Sequence, residues 1–278
     1  MAYTVREMFR ERVSLFWHKN MGRPYRLAVG INQNPSGTDE IVFLHGIGRT
    51  SAIWQFVAKD LASKPYHLLA FDLLGFGESP KPDWLNYTVD DHAKTVIATV
   101  ERYRHQQKPL IFVGHSMGCL IAVRIATLRP DLVQRLILYQ PPIYVGLPKK
   151  RRYNIRKDLY YRLYKRLVEE PETKSPSRLR RLLMQRTGLR VRPETLRPFL
   201  KSLQYTIMEQ TTLQEMRDIQ VPIDIIYGSR DMVVIRGKKK TIFKEITAPL
   251  QTHTIRELHV VSQSASDFIA KRIVTVSE

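Results

Sequence analysis

The first place where side-chain type and spacing suggest chemistry is Gly114-His115-Ser116-Met117-Gly118. A serine hydroxyl becomes a useful nucleophile only when a neighbouring base removes its proton. What surrounds Ser116 suits that role. The apolar run Leu110–Val113 before it reads as a buried strand, and Cys119–Leu128 after it reads as a helix. A turn tight enough to join them needs residues without a Cβ two positions to either side, and Gly114 and Gly118 meet that need. Such a nucleophile elbow lifts the hydroxyl out of the sheet. It also opens a helix at Met117, whose backbone N–H is then available to an anion.

A nucleophile of this kind needs an oxyanion site, a base and an orienting acid. Ile41-Val-Phe-Leu44 runs into His45-Gly46-Ile47-Gly48, so a second backbone N–H, that of Ile47, can join Met117 in holding a tetrahedral oxyanion. His45 itself reads as a holder of loop geometry, since a base beside the oxyanion donors could not relay a proton to an orienting acid. Val221–Tyr227 leads into Gly228-Ser229-Arg230-Asp231, which puts a carboxylate at the carboxyl edge of the sheet. Two histidines follow. His253 falls inside an expected strand over 252–258, whereas His259 falls in the loop after it, where a base can reach the nucleophile. The candidate catalytic set is therefore Ser116, Asp231 and His259, with Ile47 and Met117 as oxyanion donors.

These groups need a frame, and the pattern along the chain supplies one. Strand character at 25–31, 41–44, 66–71, 110–113, 134–139, 223–227 and 252–258 alternates with helical stretches at 51–63, 89–104, 117–128 and 264–274. That rhythm predicts an α/β fold with a doubly wound, mostly parallel sheet. It breaks at Pro141-Pro142. Residues 142–216 hold no convincing strand. Instead Ile155, Leu159, Leu163 and Leu167 form one helical stripe, and Leu196, Phe199, Leu200, Leu203 and Ile207 form another. The expected organisation is a core of residues 1–141 and 217–278 with a helical cap, 142–216, inserted into it. Thr4-Val5-Arg6-Glu7 reads as a capping box opening an amphipathic helix over 5–18. Its apolar stripe suits either packing on the body or lying on a membrane surface.

Together these motifs resemble the α/β-hydrolase superfamily over nearly the whole chain. The resemblance rests on His45-Gly46-Ile47-Gly48, Asp72-Leu-Leu-Gly-Phe-Gly-Glu-Ser79, Gly114–Gly118, Gly228–Asp231 and His259. It implies that Ser116 attacks a carbonyl, His259 takes its proton, Asp231 orients the imidazole and water releases the acyl group. It implies that Asp72–Ser79 shapes a loop. It also implies a helical cap inserted after the sixth strand. Members include esterases, lipases, lactonases, amidases, C–C bond hydrolases and ligand-binding receptors. A carboxylic ester is the preferred substrate, a C–C bond or a receptor role the alternatives. The chain departs from the family in having Leu258 before the histidine, where glycine is frequent, and Cys119 where many members carry a smaller residue.

Composition bounds the rest. The 278 residues include one cysteine, Cys119, and carry a net charge of +19. A lone cysteine argues against a disulfide-built scaffold and for a reducing compartment. The amino-terminal stretch has no signal-peptide pattern and no run is long enough to span a bilayer, so the expectation is a cytoplasmic protein, with a peripheral membrane position left open. No C-x-x-C or H-E-x-x-H occurs, so no cofactor and no metal are expected. Basic residues outnumber acidic ones 19 to 8 between Pro141 and Ile219, with Lys149-Lys150-Arg151-Arg152 and Arg178, Arg180 and Arg181 clustered. The partners this suits are a small molecule with an apolar acyl part and an anionic membrane surface. Nucleic acid is disfavoured because no binding motif accompanies the charge. The oligomeric state cannot be read from the sequence.

Overall fold

The structure, a computed structural model, describes residues 13–143, 165–169, 192–231, 233–234 and 243–277. Seven strands form one sheet: β1 (Val29–Gln33), β2 (Asp39–Leu44), β3 (Tyr66–Phe71), β4 (Leu110–His115), β5 (Val133–Tyr139), β6 (Ile223–Gly228) and β7 (Leu250–Ile255). Their order is β1-β3-β2-β4-β5-β6-β7. Only β1 runs antiparallel to its neighbour. Every residue of β3, β4 and β6 is buried. Continuous apolar strands are what a parallel sheet covered on both faces requires.

Helices supply that cover. On one face α2 (Val89–Tyr103), α3 (Met117–Leu128) and α5 (Thr212–Asp218) pack through Val96, Val100, Leu120, Val123 and Met216. On the other, α1 (Gln55–Asp60) and α6 (Gln263–Ser277) pack through Val57, Ala265, Ile269 and Ile273. The α2 start is fixed by a reciprocal cap: Thr88 Oγ1 accepts from the Asp91 amide at 3.1 Å, and the Asp91 carboxylate accepts from the Thr88 amide at 2.9 Å. Such a cap typically contributes about 1 kcal/mol. The sheet is wound in opposite directions from β2, toward β3 on one side and β4 on the other. Open α/β sheets place ligands at the carboxyl ends beside such a switch point, here between Leu44 and His115.

Two strand boundaries differ from the sequence reading by three residues or more. β1 begins at Val29, not Tyr25, because the backbone ahead of it is already paired elsewhere. The Leu27 amide donates to Thr99 Oγ1 and the Ala28 amide to Ser79 Oγ, and Ala28 O accepts from the Asp72 amide. β7 ends at Ile255, not 258, because the Glu257 and Leu258 carbonyls accept from Arg230 and Gln140.

Among the described residues of 142–216, all regular structure is helical: residues 165–169, α4 (Pro193–Ser202), a π-helical turn Leu203–Met208 and the start of α5. Pro193 sits at the first helical position, where its missing N–H costs nothing. Leu167, Leu200, Leu203 and Ile207 are buried. The segment is tied to the α2 side of the core by Thr206 Oγ1 donating to Tyr87 O at 2.8 Å and by a 3.1 Å bond between Ser202 Oγ and His92 Nε2. It follows the fifth of the seven described strands, β5, and precedes β6, one strand earlier than the position after the sixth that the resemblance implies. Ile155, Leu159, Leu163, the Lys149–Arg152 run, Arg178, Arg180 and Arg181 lie outside the described residues, as do positions 5–12 of the expected amino-terminal helix. Its remainder is helical over 13–15 and continues as a π-helical turn Phe16–Asn20.

Candidate active site

The elbow between β4 and α3 holds Ser116 at φ 53° and ψ −118°, left-handed backbone unusual for a residue with a side chain. Such conformations cost on the order of 1–3 kcal/mol and persist only where packing over-determines them. Here the Ser116 amide donates to Tyr139 O at 3.0 Å, and the Cys119 amide donates back to Ser116 O at 2.9 Å. A Cβ at Gly118 would fall 2.2 Å from Leu44 O, and one at Gly114 would fall 2.6 Å from the Cys119 amide nitrogen. Both contacts are with backbone, so nothing larger than glycine fits. Cys119 fits because its buried thiol donates to Gly114 O and Tyr139 O.

The hydroxyl meets a histidine and then a carboxylate. His259 Nε2 lies 3.0 Å from Ser116 Oγ, and His259 Nδ1 lies 2.8 Å from Asp231 Oδ2. The Asp231 side chain is only 2% exposed. Its other oxygen accepts from the Val233 amide at 2.7 Å and the Val234 amide at 3.0 Å. Three acceptor contacts hold this buried carboxylate in one orientation. His253, by contrast, sits inside β7, 3.3 Å from Asp224 Oδ1 and edge-on to Phe268. Asp224 also binds Arg135 and Arg272. His253 therefore belongs to a separate charged cluster.

The sequence motifs give no hint of what holds the His259 loop. Gln140 Nε2 donates to Leu258 O at 2.6 Å, and Tyr139 Oη donates to Val260 O at 2.8 Å. The two carbonyls flanking His259 are thus both held from the end of β5. Gln140 is fully buried at φ 52°, and its amide nitrogen also reaches Tyr139 Oη at 3.0 Å. The Asp231 loop adds Arg230 N to Glu257 O at 3.0 Å and Ser229 N to Ile255 O at 2.6 Å. Nothing local to Tyr139-Gln140 signals this, since the partners lie 118 and 121 residues further on.

On the oxyanion side, Met117 is the first residue of α3, so its N–H has no intrahelical acceptor. The loop bearing Ile47 lies against the elbow: a Cβ at Gly46 would fall 3.1 Å from Ser116 Cβ. His45 bridges within this region, Nδ1 to Gly46 O at 2.8 Å, while Nε2 accepts from the Leu73 amide at 2.8 Å. Both contacts require a neutral ring with its proton on Nδ1, and burial pushes the His45 pKa down to about 4. His115 is buried with its ring 5.1 Å from that of His259. Burial, then the neighbouring His259, hold His115 well below the ordinary histidine range. Asp72, in the Asp72–Ser79 stretch, accepts from Ser51 N and Oγ and from the Glu78 amide. Burial alone would raise its pKa, but these bonds outweigh that and hold it low. It braces the loop beside His45. No cluster of three or more His, Cys, Asp or Glu among the described residues is placed to hold a metal ion.

The family model described as "Serine aminopeptidase, S33" (Hydrolase_4) matches residues 37–259, which spans Ile47, Ser116, Met117, Asp231 and His259. The chain belongs to this hydrolase family. Among curated relatives, the hydrolase is 40% identical over 113 residues to "Probable lysophospholipase BODYGUARD 4" of Arabidopsis thaliana, a match covering 40% of this chain and 26% of that protein. It is 34% identical over 110 residues to "Lipase LipV" of Mycobacterium tuberculosis, covering 39% and 40% of the two chains. The matched stretch is thus well under half the length of either relative. In overall fold it is similar to the enol-lactonase of Burkholderia xenovorans, with a TM-score of 0.67 and 18% identity over 91% of this chain and 96% of that one.

Proposed function

We propose that this hydrolase cleaves carboxylic esters of small molecules with an apolar acyl part, through Ser116, His259 and Asp231. The observation that carries the reading is the continuous pair of contacts from Ser116 Oγ to His259 to a buried Asp231, 3.0 and 2.8 Å long. In this mechanism His259 Nε2 takes the Ser116 proton as Oγ attacks the ester carbonyl. Asp231 keeps the other ring proton on Nδ1 and stabilises the imidazolium. The amides of Ile47 and Met117 receive the oxyanion, each worth about 3 kcal/mol in comparable sites. His259 then gives its proton to the leaving alkoxide, and a water activated by the same ring hydrolyses the acyl-enzyme. The helical segment 142–216 would cover the acyl part as a cap. The relatives described as a probable lysophospholipase and a lipase favour a lipid ester.

The test uses a fluorophosphonate probe, which labels activated serines. Wild type should be labelled and Ser116→Ala should not; equal labelling of both would sink the nucleophile assignment. A panel of p-nitrophenyl esters of increasing acyl length then separates substrates, with an aminoacyl p-nitroanilide included because of the family's description as serine aminopeptidase. Turnover of the anilide in preference to every ester would overturn the ester reading while leaving Ser116 in place.

A further inference from the structure

The described residues expose eight large apolar side chains: Val13, Leu15, Phe16, Trp17, Met21, Phe56, Leu258 and Val260. All eight lie on segments that border the carboxyl edge of the sheet. The chain over 13–28 enters β1 at that edge, because Val29 pairs with Phe71, the last residue of β3. Its Tyr25 ring lies 6.4 Å from that of Trp84, in the long loop that follows β3. Phe56 is the second residue of α1, which follows the turn Ser51–Trp54, and Ser51 donates twice to Asp72 immediately beyond β3. Leu258 and Val260 flank His259. The opposite edge exposes no large apolar side chain among the described residues.

The amino-terminal part of this surface has one kind of charge. No Asp or Glu occurs from Val13 to Thr38, while Lys19, Arg23 and Arg26 are exposed there. The Arg23 guanidinium lies 4.6 Å above the Trp17 ring, so cation and aromatic face the same side. Phe16 is 51% exposed, Trp17 40% and Met21 57%. Aromatic groups interleaved with uncompensated cations match a surface with an apolar interior and anionic headgroups. A second copy of this chain, itself at +19, is poorly matched to a basic patch.

We propose that the segment Val13–Met21, with Leu258 and Val260, docks this protein on an anionic lipid bilayer with the Ser116 edge of the sheet turned toward the membrane. Phe16, Trp17 and Met21 enter the acyl boundary, and Lys19, Arg23 and Arg26 meet the headgroups. This goes beyond the hydrolytic reading and does not depend on it.

The test therefore uses the full chain carrying Ser116→Ala, which removes any turnover of the lipid. Co-sedimentation compares vesicles of phosphatidylcholine with vesicles that also contain phosphatidylglycerol. Trp54 is fully buried and the Trp84 indole nitrogen is buried, so quenching by brominated acyl chains reports mainly on Trp17. Binding should require phosphatidylglycerol, weaken with salt, and show quenching that Trp17→Phe abolishes. Phe16→Ala and Trp17→Ala should each weaken partitioning by about tenfold, the effect of leaving one aromatic side chain unburied. Absence of binding to anionic vesicles overturns the proposal. So does binding that neither aromatic substitution alters, since charge elsewhere would then carry it. Self-association in solution that Phe16→Ala removes, without vesicle binding, overturns it in favour of a second copy. Because these are exposed positions, circular dichroism should show every variant folded. Fluorophosphonate labelling of the Ser116-intact protein fails or succeeds separately.

Discussion

Replacing Gln140 by Leu keeps the volume of a fully buried side chain but removes both of its N–H donations, to Leu258 O at 2.6 Å and to Tyr139 Oη at 3.0 Å. The Gln140 amide still donates to Ile226 O, so the β5 end keeps its backbone pairing. What is lost is the bond to the carbonyl just ahead of His259. Leaving this part-buried carbonyl unpaired costs up to about 1–3 kcal/mol. If the loop escapes that cost by shifting, the competent position is depopulated on the order of tenfold to a hundredfold. Displacement of about 1 Å at a reacting group has a comparable effect. Gln140→Leu should therefore lower the rate of fluorophosphonate labelling and kcat on a good ester by that factor, with KM little changed. Tyr139→Phe, which frees Val260 O, should act in the same direction. The double substitution should cost less than the product of the two, because both residues restrain one loop. Near-UV circular dichroism and urea unfolding check that the fold survives. Wild-type kcat in both single variants would refute the idea that the β5 end positions His259. A loss of kcat that merely tracks the unfolded fraction would refute it too.

Two further outcomes follow from the geometry. His259→Ala should lower kcat by about four orders of magnitude, as removal of a triad member does, whereas His253→Ala should leave kcat near wild type and register in stability through Asp224; the reverse pattern would show that the wrong histidine has been assigned. His45 and His92 are pushed down to about 4 and about 3, each chiefly by burial, so the unfolded chain binds protons near pH 6.5 that the folded one refuses. Stability is then full above pH 6.5 and falls as pH drops toward 4, each histidine adding a slope of up to about 1.4 kcal/mol per pH unit. Urea unfolding at stepped pH measures it, and a His92→Gln variant should lose one histidine's share of the slope. A flat profile from pH 7 to 4.5 would contradict the burial argument.

The elbow was legible because its constraint is local. Gly114 and Gly118 are dictated by backbone two residues either side of Ser116, and a buried strand followed by a helix has a periodicity that can be read directly. His259 could be separated from His253 for a similar reason: one falls within a strand and the other past its end. The structure keeps that placement, His253 inside the strand and His259 past its end, although β7 stops three residues earlier than expected, at Ile255. Its early end is set by Arg230 and Gln140, which claim the Glu257 and Leu258 carbonyls. Both are long-range contacts that leave no periodic trace. The start of β1 was misjudged in the same way, since Ser79, Thr99 and Asp72 take the backbone groups of Leu27 and Ala28. Trp17 shows a different limit. An apolar stripe at helical spacing looks the same whether it faces a core or solvent, and only the surroundings reveal that this one is exposed.

The neutral histidines around the elbow bear on the chemistry as well as on stability. In the proposed mechanism His259 must become an imidazolium in the transition state. The His115 ring is 5.1 Å away. A second charge at that distance would oppose the first by roughly 3 kcal/mol at the effective dielectric of a partly buried site, about a hundredfold in rate. His115 avoids that because burial keeps it uncharged across the neutral range. Neither of its ring nitrogens has a hydrogen-bond partner among the described residues, so nothing nearby stabilises a proton on it. His45 is held neutral in the same way, with both its ring nitrogens committed to the backbone. In that mechanism the charge on His259 is answered by Asp231, through a carboxylate that the Val233 and Val234 amides hold in place. The distinction between the proposed base and its histidine neighbours lies in solvent access and a direct carboxylate bond, since His259 is 17% exposed and hydrogen-bonded to Asp231, while His45 and His115 are buried and neither ring is hydrogen-bonded to a carboxylate among the described residues.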